Sequence, residues 1–167
     1  AASIPVNYLT AWLMLVRLGN VRRGEKVLVH ACAGGVGLAA VQICNHFGAE
    51  VIGTASAGKH DRLREMGVTS CVDYRSQDFV QVLKGAEPQG INFAFNGMSQ
   101  DAVERCLAVL GRGGMYVHYG GPTGTGGFFV FIFKFLLHKL LPNGKKLEGY
   151  GTHRGANESF KQDWAKL

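Results

Sequence analysis

The chain has 167 residues, 47% of them hydrophobic and 18% charged, so it can bury a core, and we expect one folded domain rather than an intrinsically disordered segment. Its 24 glycines accompany only 4 prolines and follow no collagen-like period, which favours tight turns over a fibrous tract. The net charge of +6 is spread over scattered lysines and arginines, and no basic run accompanies a nucleic-acid-binding motif, so we expect no nucleic-acid partner.

The first predicted helix runs from Pro5 to Leu18, with the proline in its first turn and Gly19 near its end. The apolar, β-branched run from Lys26 to Ala31 predicts a buried strand. Three glycines follow that strand, and the next helix is predicted from Leu38 to Phe47. Because the chain starts inside a predicted helix, we expect it to be one segment of a longer polypeptide.

Strands and helices alternate along the rest of the pattern. Further strands are predicted at Glu50–Thr54, Ser70–Asp73, Ile91–Phe95, Gly114–Tyr119 and Leu147–Thr152, and further helices at Gly58–Met66, Gln77–Gly85 and Gln100–Leu110. Such alternation indicates βαβ units and a parallel sheet, and right-handed crossovers leave few topologies. We therefore predict an α/β fold, a Rossmann-type doubly wound parallel sheet of about six strands in the order 3-2-1-4-5-6.

One apolar segment, Phe128–Leu141, interrupts this alternation. It carries Lys134, His138 and Lys139, and it is shorter than the roughly 20 apolar residues that a membrane-spanning helix needs. We interpret it first as a helix packed on the sheet or on another domain. A substrate pocket or subunit interface and contact with a membrane surface are the alternatives.

Cysteines and histidines show no metal-binding spacing. The four cysteines form no C-x-x-C pair, and the six histidines form no H-x-x-x-H or H-E-x-x-H motif, so we expect neither a metal site nor a disulfide framework. Free thiols suit a reducing compartment, and no signal peptide is visible, so we expect a cytoplasmic protein.

A glycine-rich turn, Ala31-Cys-Ala-Gly-Gly-Val-Gly37, joins the first predicted strand to its helix, as a dinucleotide-binding turn does. Gly34 would let the backbone approach a pyrophosphate, and Gly37 would let the helix pack closely on the strand. The helix N-terminus would offer free N–H groups and partial positive charge to the phosphates. Cys32 stands where the G-x-G-x-x-G pattern has its first glycine, so the turn is a variant. A turn without a ligand is the alternative.

The end of the second predicted strand indicates which nicotinamide cofactor binds. NAD-binding proteins usually place Asp or Glu there for the ribose 2′-OH, and the stretch from Val51 to His60 holds no acidic residue. Thr54 and Ser56 offer hydroxyls, and Lys59 with Arg62 offers positive charge for a 2′-phosphate. The sequence therefore favours NADPH, with a solvated surface role for Lys59 as the alternative. We assign no catalytic residue, because in this chemistry the cofactor carries the hydride.

Four segments together resemble the medium-chain dehydrogenase/reductase superfamily: AASIPVNYLTAW at 1–12, GEKVLVHA at 24–31, AGGVG at 33–37 and GTA at 53–55. The likeness is to its zinc-free NADPH:quinone oxidoreductase branch, which includes zeta-crystallin and the synaptic-vesicle membrane protein homologues. Enoyl reductase domains of polyketide synthases are similar too. The resemblance covers Ala1 to about Thr152 and argues against zinc.

The resemblance also implies cofactor contacts, residue by residue. It puts Asn7 and Thr10 near the nicotinamide carboxamide, Gly34, Gly35 and Val36 at the pyrophosphate, Ser56, Lys59 and Tyr74 around the 2′-phosphate, Asn96 and Gly97 over the adenosine, and Tyr119 and Gly120 beside the nicotinamide ribose. All of these positions lie at predicted carboxyl ends of strands or in the first helix.

The resemblance implies hydride transfer from NADPH to a quinone, an enone or another activated double bond in a small-molecule substrate. It places the family's N-terminal catalytic domain outside this chain, so residues 1–167 would form a single dinucleotide-binding domain. Two other functions stay open: a non-catalytic cofactor-binding module, and an enoyl reductase domain within a polyketide synthase.

Assembly is predicted from the sixth strand. Leu147–Thr152 would form an edge of the sheet, and members of the resembled family commonly dimerise by pairing such edges. We therefore expect a symmetric homodimer through this edge, with contacts around Tyr150 and the apolar segment, and no membrane contact. A short exposed edge strand is the alternative.

Overall fold

The computed structural model describes residues 3–96, 102–119, 136–137, 140 and 144–150. The described strands form one sheet, in which all neighbouring strands are parallel and the order is β3-β2-β1-β4-β5-β6. The strands are β1 (Lys26–Val29), β2 (Glu50–Ala55), β3 (Ser70–Asp73), β4 (Ile91–Asn96), β5 (Leu110–Tyr119) and β6 (Lys146–Tyr150). The predicted fold class and strand order are confirmed.

Helices cover both faces of the sheet. They are α1 (Ser3–Trp12), α2 (Gly35–Phe47), α3 (His60–Glu65), α4 (Phe79–Ala86) and α5 (Ala102–Val109). One core cluster joins α1, α2 and Leu63 of α3 to one face, where Val27 and Val51 lie fully buried. A second cluster joins α4 and α5 to the other face around Leu28 and Tyr116. Because both faces are buried, the central strands read as continuous apolar runs rather than as alternating patterns.

Several element boundaries differ from the predicted ones. The first helix is α-helical only to Trp12 and continues as a π-helix over Leu13–Leu18, in which Gly19 N–H donates to the Met14 carbonyl at 2.9 Å. Apolar spacing alone does not separate these two kinds of helix. The first strand ends at Val29, because Ala31 turns the chain with a φ of 49°. The following helix starts at Gly35, since the glycines form its first turn.

The fifth strand is longer than predicted. It begins at Leu110 instead of Gly114, and its register with β4 shifts between Ile91 and Phe93. Glycines that indicate a turn in the sequence here allow close backbone approach, since a Cβ on Gly90 would lie 2.3 Å from the Gly111 nitrogen. The strand therefore passes through its glycines with a bulge.

The apolar segment Phe128–Leu141 lies mostly outside the described residues. Of that segment the structure describes 136, 137 and 140, and these leucines are exposed. Across the described part of the chain, no helix has both the length and the apolar character that crossing a membrane requires.

Candidate functional site

A cavity of about 440 Å³ opens at the carboxyl ends of β1, β2 and β4. Its lining comes from the glycine turn, the end of β2, the residues after β3, and helices α4 and α5: His30, Ala31, Ala33, Gly34, Thr54, Ala55, Ser56, Lys59, Tyr74, Gln77, Phe79, Asn96 and Arg105. This lining holds two cations and no carboxylate. Open parallel sheets bind ligands at this edge, outside the carboxyl ends of their strands.

The glycine turn leaves open backbone at the N-terminus of α2. Gly34 occupies the N-cap position in an extended conformation, so no side chain satisfies the first N–H groups of the helix. A Cβ on Gly34 would meet only the Ala31 carbonyl oxygen, at 3.2 Å, so the space beyond it is free. A Cβ on Gly37 would lie 2.6 Å from the carbonyl oxygens of Ala31 and Cys32. Gly34 thus leaves room for a ligand, whereas Gly37 allows close packing.

The end of β2 provides hydroxyls and a lysine. Ser56 begins a short 3₁₀ turn in which Lys59 N–H donates to the Ser56 carbonyl at 3.0 Å, and both residues line the cavity. Thr54 is 3% exposed, and its Oγ1 accepts the Ala31 N–H at 3.3 Å. Tyr74, exposed after β3, completes this side of the cavity. Thr54 therefore braces the turn, while Ser56, Lys59 and Tyr74 are accessible to a ligand.

One wall of the cavity is built on α4 and α5, and the sequence does not predict its residues as part of the site. The Arg105 guanidinium lies 4.6 Å from the centroid of the Phe79 ring, and its Nη2 donates to Asp78 Oδ1 at 2.7 Å. The His30 ring meets Phe79 edge-on, with centroids 4.8 Å apart. No local sequence signal pairs these residues, because Phe79 and Arg105 come from different helices that the fold brings together.

His30 is neutral in this wall. Burial, and then the charge of Arg105, lower the pKa of His30 to about 4. Its Nδ1 lies 3.2 Å from Thr54 Oγ1 and its Nε2 lies 3.3 Å from Cys106 Sγ. A histidine held in this way supports the ring of Phe79 and does not carry charge near neutral pH.

Of the predicted site residues that the structure describes, half line the cavity and half lie elsewhere. Those that line it are Gly34, Thr54, Ser56, Lys59, Tyr74 and Asn96, and those that do not are Asn7, Thr10, Gly35, Val36, Gly37 and Tyr119. Gly97 and Gly120 lie outside the described residues.

The residues away from the cavity cluster near the start of α2 and on the other face. The Asn7 side chain covers Gly35, since a Cβ there would lie 2.3 Å from Asn7 Nδ2. Thr10 is buried on α1, three residues after Asn7. Tyr119 is half-buried at the end of β5, with its ring 5.9 Å from that of Phe95. Asn7, Thr10 and Tyr119 thus lie outside the cavity, on α1 and at the end of β5.

The four cysteines are free thiols, and three of them are buried. Burial, and then the neighbouring thiol of Cys71, raise the pKa of Cys32 to about 12, so it is not a nucleophile at neutral pH. Among the residues that the structure describes, no group of three or more His, Cys, Asp or Glu side chains is placed to hold a metal ion.

Comparisons with known proteins agree with this architecture. A family model described as zinc-binding dehydrogenase matches residues 35–167. The human synaptic vesicle membrane protein VAT-1 homolog is 41% identical over 121 residues, which are 72% of this chain and 31% of that protein. The pikromycin polyketide synthase component PikAII of Streptomyces venezuelae is 43% identical over 122 residues, which are 71% of this chain and 3% of that protein.

A solved structure shares the fold over nearly the whole chain. The nucleotide-binding subdomain of the enoylreductase domain of PpsC from Mycobacterium tuberculosis superimposes with a TM-score of 0.75 at 26% identity. The match covers 98% of this chain and 87% of that one. The curated relatives are longer, since the aligned part spans less than a third of the human VAT-1 homolog.

Proposed function

Because the chain belongs to the zinc-binding dehydrogenase family of the medium-chain dehydrogenase/reductase superfamily, we propose that it is the NADPH-binding domain of an oxidoreductase. The substrate we propose is a quinone, an enone or another activated double bond. The catalytic domain would belong to the same longer polypeptide, in a reducing compartment such as the cytoplasm.

One observation carries this proposal: the glycine turn and the acid-free end of β2 open onto the same cavity. The N-terminus of α2 supplies backbone N–H groups and the positive end of a helix dipole, which suit a pyrophosphate. Lys59 and Ser56 line the cavity where an NAD-binding protein would have a carboxylate. The residues present therefore fit a dinucleotide that carries an extra phosphate on its ribose.

The chain's own contribution is binding and orientation. The nicotinamide ring, when bound, supplies the hydride. Gly34 would allow the backbone to approach the diphosphate, and Ser56, Lys59 and Tyr74 would hold the 2′-phosphate. Asn7 and Thr10 on α1, with Tyr119 at the end of β5, would fix the nicotinamide end. Because these groups bind and orient without exchanging protons, the absence of an assigned acid or base is consistent with the proposal.

A polyketide synthase enoyl reductase is the second candidate, favoured by the match to PikAII and by the extent of the match to the PpsC subdomain. Both candidates use the same cofactor site and differ in the electron acceptor. Assays of NADPH oxidation by the polypeptide that carries this chain would separate them, with 9,10-phenanthrenequinone as one acceptor and a crotonyl thioester as the other.

The binding proposal is tested by fluorescence titration of the chain with NADPH and with NADH. We expect NADPH to bind at least tenfold more tightly, because only NADPH offers a phosphate to Lys59 and Ser56. Equal affinities would contradict the assignment of the 2′-phosphate site. If neither cofactor binds, the glycine turn is one that holds no dinucleotide, and the proposal is wrong.

A further inference from the structure

Asp78, Phe79 and Arg105 lie together on one side of the site and have no part in the phosphate binding proposed above. Arg105 and Phe79 both line the cavity, and the guanidinium carbon lies 4.6 Å from the ring centroid. Phe79 is 9% exposed, whereas the side chain of Arg105 is 48% exposed. The guanidinium thus lies over the phenyl ring while about half of the Arg105 side chain stays exposed.

This pair is held on two sides, by Asp78 and by His30. Asp78 is the N-cap of α4, where Oδ1 accepts the Val80 N–H at 2.8 Å, and the same oxygen accepts Arg105 Nη2 at 2.7 Å. Behind the phenyl ring, His30 packs edge-on with a centroid distance of 4.8 Å. The carboxylate therefore holds the guanidinium in position at the cavity edge, and little rotamer freedom remains to be lost when a ligand binds.

We propose that the Arg105 guanidinium, stacked on Phe79 and held by Asp78, is the platform on which the purine base of the dinucleotide stacks. A guanidinium plane stacks on aromatic rings, and bases stack on arginine planes in many nucleic-acid-binding proteins. The inference rests on the proposed NADPH-binding function, and it names the group that recognises the base rather than the phosphate.

A phosphate contact is the competing role for Arg105, and the charges around it disfavour that role. Asp78 already pairs with the guanidinium at 2.7 Å, so a phosphate would meet a largely compensated charge. Lys59, the other cation of the lining, forms no ion pair among the residues that the structure describes, and Ser56 lines the same cavity. Phosphate recognition therefore belongs to the Lys59 side and base recognition to the Arg105 side.

The two roles of Arg105 are separated by comparing Arg105→Leu with Arg105→Lys. The leucine removes both the plane and the charge, whereas the lysine keeps the charge near Asp78 and removes only the plane. A matched control is Arg64→Leu, because Arg64 also pairs with an aspartate, Asp61, at 2.8 Å but on the exposed surface of α3. The probes are NADPH and adenosine 2′,5′-bisphosphate, which carries the base and the 2′-phosphate without the nicotinamide half.

We expect both Arg105 variants to bind either probe about tenfold more weakly, the usual effect of losing one stacked base, while Arg64→Leu binds as the wild type does. If Arg105→Lys keeps wild-type affinity and Arg105→Leu does not, Arg105 is a phosphate contact and the platform is wrong. Unchanged affinity in both variants also overturns it. If Arg105→Leu fails to fold, Arg105→Lys decides alone.

Failure of the platform is distinguishable from failure of the cofactor assignment. A wild-type chain that binds both probes, with unchanged affinity in both Arg105 variants, contradicts the platform only. A wild-type chain that binds neither probe contradicts the proposed function, and the platform with it.

Discussion

Cys32 occupies the position where a dinucleotide turn usually has its first glycine, and Gly53 makes room for it. A Cβ on Gly53 would lie 2.7 Å from Cys32 Sγ, so the thiol fills the space above a bare strand position on β2. The turn therefore has a side chain at position 32, and the neighbouring strand has a glycine where that side chain needs space. The sequence shows the departure at Cys32, but its partner is visible only once the pairing of β1 with β2 is known.

Among single residues, the sequence predicts which polar side chains reach the cavity better than it predicts which side chains contact one another in the wall on α4 and α5. The approach of Ser56, Lys59 and Tyr74 to one cavity follows from their positions after parallel strands. The contact between Phe79 and Arg105 depends on the packing of α4 against α5, which no local pattern encodes. His30 likewise looks like an ordinary strand residue until its contacts with Thr54 and Cys106 are known.

Lys59→Ala tests the phosphate side of the site. Because Lys59 lines the cavity and offers a charge-assisted hydrogen bond, its loss should weaken NADPH binding about tenfold, or ~1.4 kcal/mol. NADH affinity should not change, since NADH lacks the 2′-phosphate. Lys84→Ala on α4, outside the cavity lining, is the control. Equal losses for NADPH and NADH would assign Lys59 a role other than phosphate recognition.

His30 should make the stability of the chain depend on pH. Its folded-state pKa of about 4 lies below the ordinary value of 6.5, so the folded state favours the neutral ring. The free energy of unfolding should therefore fall by up to about 3 kcal/mol as the pH falls from 6.5 towards 4, because the unfolded chain takes up the proton first.

Urea unfolding of the wild type and of His30→Gln at several pH values between 7 and 4 checks this dependence. The glutamine cannot titrate, so the free energy of unfolding should fall less steeply with acid in the variant. A slope remains in the variant, because burial also lowers the pKa of His118. Identical slopes in the two proteins would show that His30 is not held neutral by the fold.

At the level of elements, the N-terminus of α2 has two glycines in different surroundings. The spacing of the turn predicts open backbone at Gly34 and close packing at Gly37, and the contacts that an added Cβ would make differ accordingly. Boundaries were harder to predict, because the same glycines can end a strand, begin a helix or permit a bulge. The start of α2 at Gly35 and the early start of β5 at Leu110 are two results of that ambiguity.

Gly34→Val and Gly37→Ala should therefore fail in different ways. At position 34 the backbone is extended and an added Cβ meets only one carbonyl oxygen, at 3.2 Å, so we expect Gly34→Val to fold while the pyrophosphate approach is blocked and NADPH binding is lost. Alanine at position 37 would press on two carbonyl oxygens at 2.6 Å, so the free energy of unfolding should fall by about 1–3 kcal/mol.

Circular dichroism with thermal unfolding, together with NADPH titration, measures both effects. Native-like dichroism and undiminished NADPH affinity in Gly34→Val would show that the turn does not bind phosphate. A melting temperature unchanged in Gly37→Ala would show that α2 does not need the close contact with the turn.

At the scale of the whole molecule, the sequence predicts the sheet well because parallel strands buried on both faces leave continuous apolar runs, and right-handed crossovers allow few arrangements. The sequence gives only an indirect indication of the oligomeric state, through the strand at the edge of the sheet. β6 (Lys146–Tyr150) pairs with β5 and borders no other described strand, so its outer backbone groups form an edge within the described part of the chain.

We expect two copies to pair these edges about a two-fold axis, which would extend the sheet through both subunits. Light scattering across a dilution series measures the mass in solution. A dimer at high concentration that dissociates on dilution agrees with this expectation. A strictly monomeric species at every concentration would contradict it and would leave β6 as an exposed edge.

In the proposed function, a dinucleotide lies across the carboxyl edge of the sheet with its diphosphate at the N-terminus of α2. Amide nitrogen–proton spectra of the 18.0 kDa chain, recorded during titration with NADPH, test it most directly. We expect chemical-shift changes concentrated at Gly34, Val36 and Ser56, while the signals of Gly90 and Gly111, which line a separate depression, keep their positions. Shifts at Gly90 and Gly111 with an unchanged glycine turn would contradict it.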